Sequence, residues 1–351
     1  MKILVTGSSG LIGSEAVRYF GSKGHRILGA DNNLRKFFFG ENGDTSWNLS
    51  SLKKLPVDFS HFDIDIRERN AVLQFMEKEK PDAIIHCAAQ PSHDLAAKIP
   101  FEDFDTNASG TLNLLESARR YCKESPFVFL STNKVYGDAP NELELTETPT
   151  RWEYKDKKFY NGIDESMRID QTTHSLFGAS KTAADILVQE YGRYFNMPTV
   201  CFRGGCLTGP SHSSAELHGF LSYLVKCAVQ KKHYTIFGYK GKQVRDQIHS
   251  YDVVRAAEEF ILHPKSGEVY NLGGGRNNSA SVLECIVMLE KEFNLRLEHS
   301  LSETNRVGDH ICYISDLSKL KKDFPGWNIT ISLKQIMQQI VEAEQKRLAT
   351  A

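Results

Sequence analysis

Gly7, Gly10 and Gly13 stand in "VTGSSGLIGSE", after the apolar run Lys2–Thr6 and at the head of 11–23, where Leu11, Ile12, Ala16, Val17 and Phe20 recur at helical spacing. A strand, a glycine turn and a helix in that order suit a dinucleotide. Gly7 permits the tight turn, Gly10 lets backbone approach a pyrophosphate, and Gly13 allows close helix–strand packing. The helix start offers free N–H groups and the positive end of its dipole. Asp31 lies 18 residues beyond Gly13, at the end of the next apolar run, where a carboxylate accepts from the adenosine ribose hydroxyls. It selects NAD over the 2′-phosphorylated form, whose phosphate it would repel. Leu11 and Ile12 belong to the same turn, and Asn32, Asn33 and Arg35 follow the acid; the arginine alone would welcome the extra phosphate. The alternative, a plain turn, leaves the agreement of strand, helix and acid unexplained. NAD is the expected cofactor.

These residues need a scaffold, and the pattern supplies one. Apolar β-rich runs at Lys2–Thr6, Arg26–Ala30, 63–66, 83–87 and 127–131 alternate with helical periods at 11–23, 70–78 and 107–121. That alternation predicts α/β: a Rossmann-type doubly wound parallel sheet with right-handed connections. The polar stretch 138–173 reads as a long loop, followed by a helix over 180–195 and a strand over 199–203. Further on, helices are predicted at 217–230, 282–293 and 333–348, a strand ends at Gly238, and a turn spans 273–275. Residues 1–205 are assigned to a cofactor domain, with a long insertion near 138–176. Residues 206–351 form a smaller mixed α/β substrate lobe, some of whose elements return to the first domain.

Composition narrows the class. Lys and Arg number 43 against 44 Asp and Glu, which lacks the basic excess of a nucleic-acid binder. Hydrophobic residues at 40% and charged residues at 25% are ordinary for a globular chain. No run is long and apolar enough to span a bilayer, and the N-terminus does not read as a signal peptide. Seven cysteines with no CxxC pair read as reduced thiols in a cytoplasmic protein. Neither they nor the twelve histidines show metal-ligand spacing, so no metal is expected. The expectation is a cytoplasmic enzyme with neither nucleic-acid nor membrane partner.

The glycine spacing GxxGxxG, with "HCAAQ" (86–90), "NASGTLNLLE" (107–116) and "STNKVYG" (131–137), resembles the extended short-chain dehydrogenase/reductase family, mostly nucleotide-sugar epimerases and dehydratases. The resemblance implies that Asp65 and Ile66 sit at the adenine, and that Ala88, Ala89 and Gln90 border the nicotinamide. It makes Asn107 a supporting residue and puts Ser131 beside the reacting sugar. It also implies a Tyr-x-x-x-Lys pair, one helical turn apart, in which the tyrosine exchanges a hydroxyl proton and the lysine grips the nicotinamide ribose. Here "HSLFGASKTAAD" keeps Lys181 but has Phe177 at the tyrosine position. Three readings stay open: a variant that turns over poorly, another base (Tyr160, Asp170, His174, Cys206 or Lys181), or a silent binder of nucleotide sugars. Phe177 itself reads as packing on the nicotinamide or sugar. Thr132 can steady an alkoxide, although Ser131 and Thr132 could equally cap the strand end. Asn133-Lys134 replaces the Asp-Glu pair that family dehydratases use for elimination.

Within the family the resemblance is to the CDP-paratose (CDP-tyvelose) 2-epimerase group. It rests on "STNKVYGD" (131–138), "NGIDES" (161–166) and "GKQVRDQIH" (241–249), and spans nearly the whole chain. It implies an NAD-dependent nucleotide-sugar 2-epimerase that oxidises C2 transiently, lets the ketone turn its other face, and reduces it again. Arg245 and Arg306 are the expected diphosphate clamp, since guanidinium forks match phosphate oxygens. Asp309 would orient one of them or meet the ribose, while Gln90, Ser92, His93, Asn133 and His218 line the sugar pocket. The two arginines could instead be interlobe ion pairs. A dehydratase or other oxidoreductase of nucleotide sugars is a further alternative. Family members pair through two helices of the cofactor domain, here 107–121 and 180–195, so a homodimer is expected.

Overall fold

The computed structural model describes residues 1–213, 219–303 and 308–350. Seven parallel strands form the central sheet: β1 (Lys2–Thr6), β2 (Arg26–Ala30), β3 (Phe59–Phe62), β4 (Ala83–His86), β5 (Phe127–Thr132), β6 (Thr199–Gly204) and β7 (Glu268–Leu272), in spatial order β7-β6-β5-β4-β1-β2-β3. Its inner strands are apolar on both faces because both faces are covered. Ile3 and Val5 point to one side, against Val17 and Phe20 of helix α1 (Leu11–Ser22) and a layer that includes Phe260, Phe324 and Trp327. Leu4, between them, points to the other, with Leu114 of α2 (Gly110–Tyr121) and Val188 of α3 (Ser175–Phe195). Strand order reverses beside β1, and the crevice at that switch point opens at the carboxyl ends of the strands.

Several elements depart from the sequence expectation. The third strand is Phe59–Phe62, not 63–66. At the sheet edge only one neighbour holds it, and "DIDI" instead leads the chain out past the crevice. The helix expected over 107–121 opens with a π-turn, Asp105–Ser109, before α2. Helix α3 starts at Ser175 rather than 180, because Gly178 is not a breaker: a Cβ there would lie 3.0 Å from the Lys134 carbonyl oxygen. The glycine lets the first turn of α3 press on the turn Asn133–Tyr136. The loop 138–173 contains a small hairpin, Leu145–Glu147 with Trp152–Tyr154.

The smaller lobe is built on the fully buried strand Val244–His249. That strand pairs with Ser279–Ser281, Cys312–Tyr313 and Cys206–Thr208. Helices Phe220–Gln230, Val282–Phe293 and Leu333–Thr350 give this lobe its own core around Leu224, Ile236, Leu289 and Ile336. The chain then returns to the first body: helix α4 (Ser250–Leu262) packs on α1, and β7 adds the outer strand beside β6. No helix of the described residues is long and apolar enough to cross a membrane.

Candidate active site

A cavity of about 390 Å³ lies where the carboxyl ends of β1, β4, β5 and β6 face the smaller lobe. It runs from Gly7, Gly10 and Gly13, past Ser131 and Lys181, to Arg245 and Asp309. A smaller cavity of about 100 Å³ shares Gly7 and Gly10 and continues towards Asp31, Asp65 and Ile66.

The glycine turn is shaped for a close ligand. A Cβ on Gly13 would lie 2.1 Å from the Gly7 carbonyl oxygen, and Gly7, at φ +65°, would place one 2.8 Å from the Ala88 nitrogen. No side chain caps α1, which leaves its first N–H groups to an anion. Asp31 fixes the turn by accepting from the Ser9 and Asn33 amides, both at 2.8 Å. Asn32 accepts from the Leu34 amide, and Asn33 ties down Asp44 and Thr45. Although burial works against its charge, Asp65 is held below the usual carboxylate range by a fork from Arg67 at 2.6 and 3.1 Å. Thr106 adds a buried hydroxyl without a partner among the described residues to the wall of the smaller cavity. Leu11, Ile12 and Arg35 line the larger cavity; Ala88 faces the smaller one and Ala89 both. Arg35 donates to the Ser213 carbonyl oxygen at 2.7 Å, across the mouth of the crevice. A glycine cradle, an uncapped helix start and a following carboxylate together fit NAD.

Gln90 and Ser92 are placed otherwise than expected. Gln90 is fully buried and lines neither cavity: its amide bonds Ser92 on both sides and reaches Asp103 at 2.7 Å. The Ser92 hydroxyl caps the short helix His93–Ala96. Asn107 bolts the Gln90 backbone to Asp103 and to Ser180 of α3. His93 and Asn133 line the larger cavity. His218 and Arg306 lie outside the described residues.

At the far end Arg245 reaches Asp309 Oδ1 at 2.5 Å, and Lys134 approaches the same oxygen at 3.3 Å. Two cations on one carboxylate leave positive charge facing the cavity, with His310 behind them kept neutral by burial. Lys134 is the residue sequence reasoning noticed only as a missing acid. Gln243 and Gln247 also line this end, and the period-2 spacing of "QVRDQ" was the signal for them.

Residues 3–273 match the NAD dependent epimerase/dehydratase family. The chain belongs to it. It is 34% identical to the CDP-paratose 2-epimerase of Salmonella typhi, over 97% of this chain and 98% of the relative. It is 28% identical to dTDP-glucose 4,6-dehydratase 1 of Escherichia coli K12, over 97% and 92%. The fold is that of UDP-glucose 4-epimerase from Thermotoga maritima (TM-score 0.79, 24% identity, 99% and 100% covered). It is shared by a tyrosine-to-phenylalanine mutant of Bacillus cereus UDP-glucuronic acid 4-epimerase, solved with NAD and a fluorinated UDP-sugar (TM-score 0.80, 24% identity, 99% and 100% covered).

An epimerase/dehydratase chain needs a reaction centre between cofactor and sugar, and the residues there are distinctive. Lys181 is buried; its Nζ donates to the Leu130 carbonyl oxygen at 2.7 Å and lies 4.1 Å over the Phe129 ring. Burial pulls its pKa down to about 8. Phe177, one turn earlier, lines the cavity and offers no proton. The Ser131 hydroxyl donates to Asp185 at 2.5 Å, so towards the cavity it has only lone pairs to offer. Asp185 is in turn forked by Arg203 at 2.8 and 3.2 Å. Thr132 accepts from the Lys134 amide and lines the cavity. Of the five candidate substitute bases, Cys206 and Lys181 reach the cavity. Burial raises the Cys206 thiol to about 11. Tyr160 and Asp170 are exposed, and both His174 ring nitrogens sit against backbone carbonyls.

Proposed function

We propose that this protein is an NAD-dependent nucleotide-sugar 2-epimerase of the CDP-paratose type. The observation that carries the reading is one continuous cavity joining the glycine cradle, Lys181 and the Arg245–Asp309–Lys134 cluster. When bound, NAD supplies a reversible oxidant for a secondary alcohol. The chain's own residues do the rest. Gly7, Gly10, Gly13, Asp31, Asp65 and Ile66 hold the dinucleotide, and Lys181 steadies its nicotinamide ribose. Thr132 hydrogen-bonds the reacting oxygen and Ser131 accepts from it. Arg245 and Arg306 grip the sugar diphosphate and Asp309 orients Arg245, which leaves the hexose free to turn while tethered. Asn133 and Lys134, carrying no carboxylate, favour return of the hydride over elimination of water. A homodimer through α2 and α3 is proposed with it, supported by the exposed apolar side chains Ile186 and Tyr194 on α3. A reducing, cytoplasmic setting is supported by seven free cysteines.

Incubation with CDP-hexoses, followed by NMR of the recovered nucleotide sugar, should show inversion at C2 with the C2 hydrogen retained in heavy water. No inversion with any nucleotide sugar, and no NADH absorbance, would sink the proposal. Phe177 favours a second reading, a catalytically silent nucleotide-sugar sensor, which predicts affinity without turnover.

A further inference from the structure

We infer that Gln247 is a positioning residue for the hexose, a reading that rests on the nucleotide-sugar assignment above. Along Gln243, Arg245 and Gln247 alternate side chains point into the larger cavity. Asp246, between them, turns away to accept from the Gly275 and Ser315 amides, both at 3.0 Å. Gln247 is fully buried, yet neither its Oε1 nor its Nε2 has a partner among the described residues. A buried amide left unpaired loses its hydration with nothing in return, so such groups are paired in the working molecule. Here the open side is the cavity.

Strand register says which part of the ligand Gln247 meets. It pairs with Cys206, and from there its strand runs on towards α1, where Ser250 donates to Glu15 at 3.0 Å. Arg245, at the diphosphate, stands two residues back, roughly 6.6 Å along the strand. A group that far from the diphosphate, on the side of the cofactor, meets the sugar ring. The carboxamide offers two donors and an acceptor with two lone pairs, which matches hydroxyls that both give and take protons. It can serve the ring in both presentations that an epimerase must hold.

Calorimetry on the NAD-loaded protein tests this with CDP and CDP-glucose as probes. In Gln247→Leu, and in the near-isosteric Gln247→Met, CDP affinity should stay within about twofold of wild type. CDP-glucose affinity should fall about tenfold, the loss of one buried hydrogen bond of about 1.4 kcal/mol. Tm should not drop, since no bond within the protein is removed. An unchanged gain from the hexose in both variants overturns the inference, and so does a Tm that falls by several degrees. If wild type binds CDP but gains nothing from the hexose, this inference alone fails. If it binds no nucleoside diphosphate or nucleotide sugar at all, the functional assignment fails with it.

Discussion

Lys181 sits between two duties that its surroundings set against each other. Burial favours the neutral amine and lowers its pKa from 10.5 to about 8, while Asp185 opposes the shift. From pH 8 to 10.5 the unfolded chain keeps a proton that the folded chain has released, so this group makes stability rise with pH across that window. Cofactor grip runs the other way, because the charge proposed to steady the nicotinamide ribose is lost above pH 8. We therefore expect the NAD dissociation constant to climb above pH 8 in wild type and to stay flat in Lys181→Arg, as read by fluorescence titration. The same inflection in the arginine variant would assign it to another group. Phe177 is the other residue on which the proposed turnover hinges. Phe177→Tyr places a phenol one turn from that cation and should raise kcat by about 10²-fold, the contribution of one positioned acid–base group. An unchanged rate would move the base to Cys206 or to Lys181 itself. The family resemblance pointed to Phe177, Lys181 and Ser131, but not to the bond that the Ser131 hydroxyl makes. Its partner Asp185 is 54 residues away, and only the packing of α3 on β5 brings the two together.

At the scale of elements, the site is held by a bolt between the loop after β4 and helix α3. Asn107 accepts from the Gln90 amide at 3.0 Å and donates to Gln90, Asp103 and Ser180 at 3.1 Å each. Asn107→Ala would strand several buried partners at once, so unfolding free energy in urea should fall by about 2–4 kcal/mol. The loss should come with weaker NAD binding, because Ser180 adjoins Lys181; a change under 1 kcal/mol (about the worth of an exposed hydrogen bond) would show the bolt to be idle. The strands β1, β2, β4, β5 and β6 were plain in the sequence because burial on both faces leaves an uninterrupted apolar run. The edge strand β3 has partly buried residues throughout and lacks that signature. The π-turn before α2 shares its composition with an α-helix, so nothing in the spacing marks it. β7 was missed because the chain reaches it only after an excursion through the smaller lobe, and Glu268 and Asn271 interrupt the apolar run of "EVYNL".

Across the whole molecule, the two bodies meet over the cofactor crevice through the segment 209–213. Arg35 and Trp47, from the cofactor domain, bond the Ser213 carbonyl and hydroxyl oxygens at 2.7 and 3.1 Å. Arg347, on the last helix, donates to the Pro210 carbonyl oxygen at 2.7 Å and stacks 4.6 Å over the Trp47 ring. Ser211, His212 and Ser213 line the same cavity as Gly10 and Gly13, so this clasp lies against the space that the dinucleotide would fill. No local pattern could reveal it: Arg35 and Ser213 are 178 residues apart. A charged hydrogen bond of about 1.5 kcal/mol or more and a cation–π contact of about 0.5–1 kcal/mol hold the Arg347 end. Removing them in Arg347→Ala should speed NAD release about tenfold in stopped-flow displacement. Gln247 and Arg245 lie beyond the clasp, so CDP affinity in the same variant should hold within about twofold, a change too small to mark a lost hydrogen bond. Release at the wild-type rate would mean that the glycine cradle alone retains the cofactor. Loss of CDP affinity in parallel would mean that Arg347 supports the fold of the smaller lobe instead of the closure over NAD.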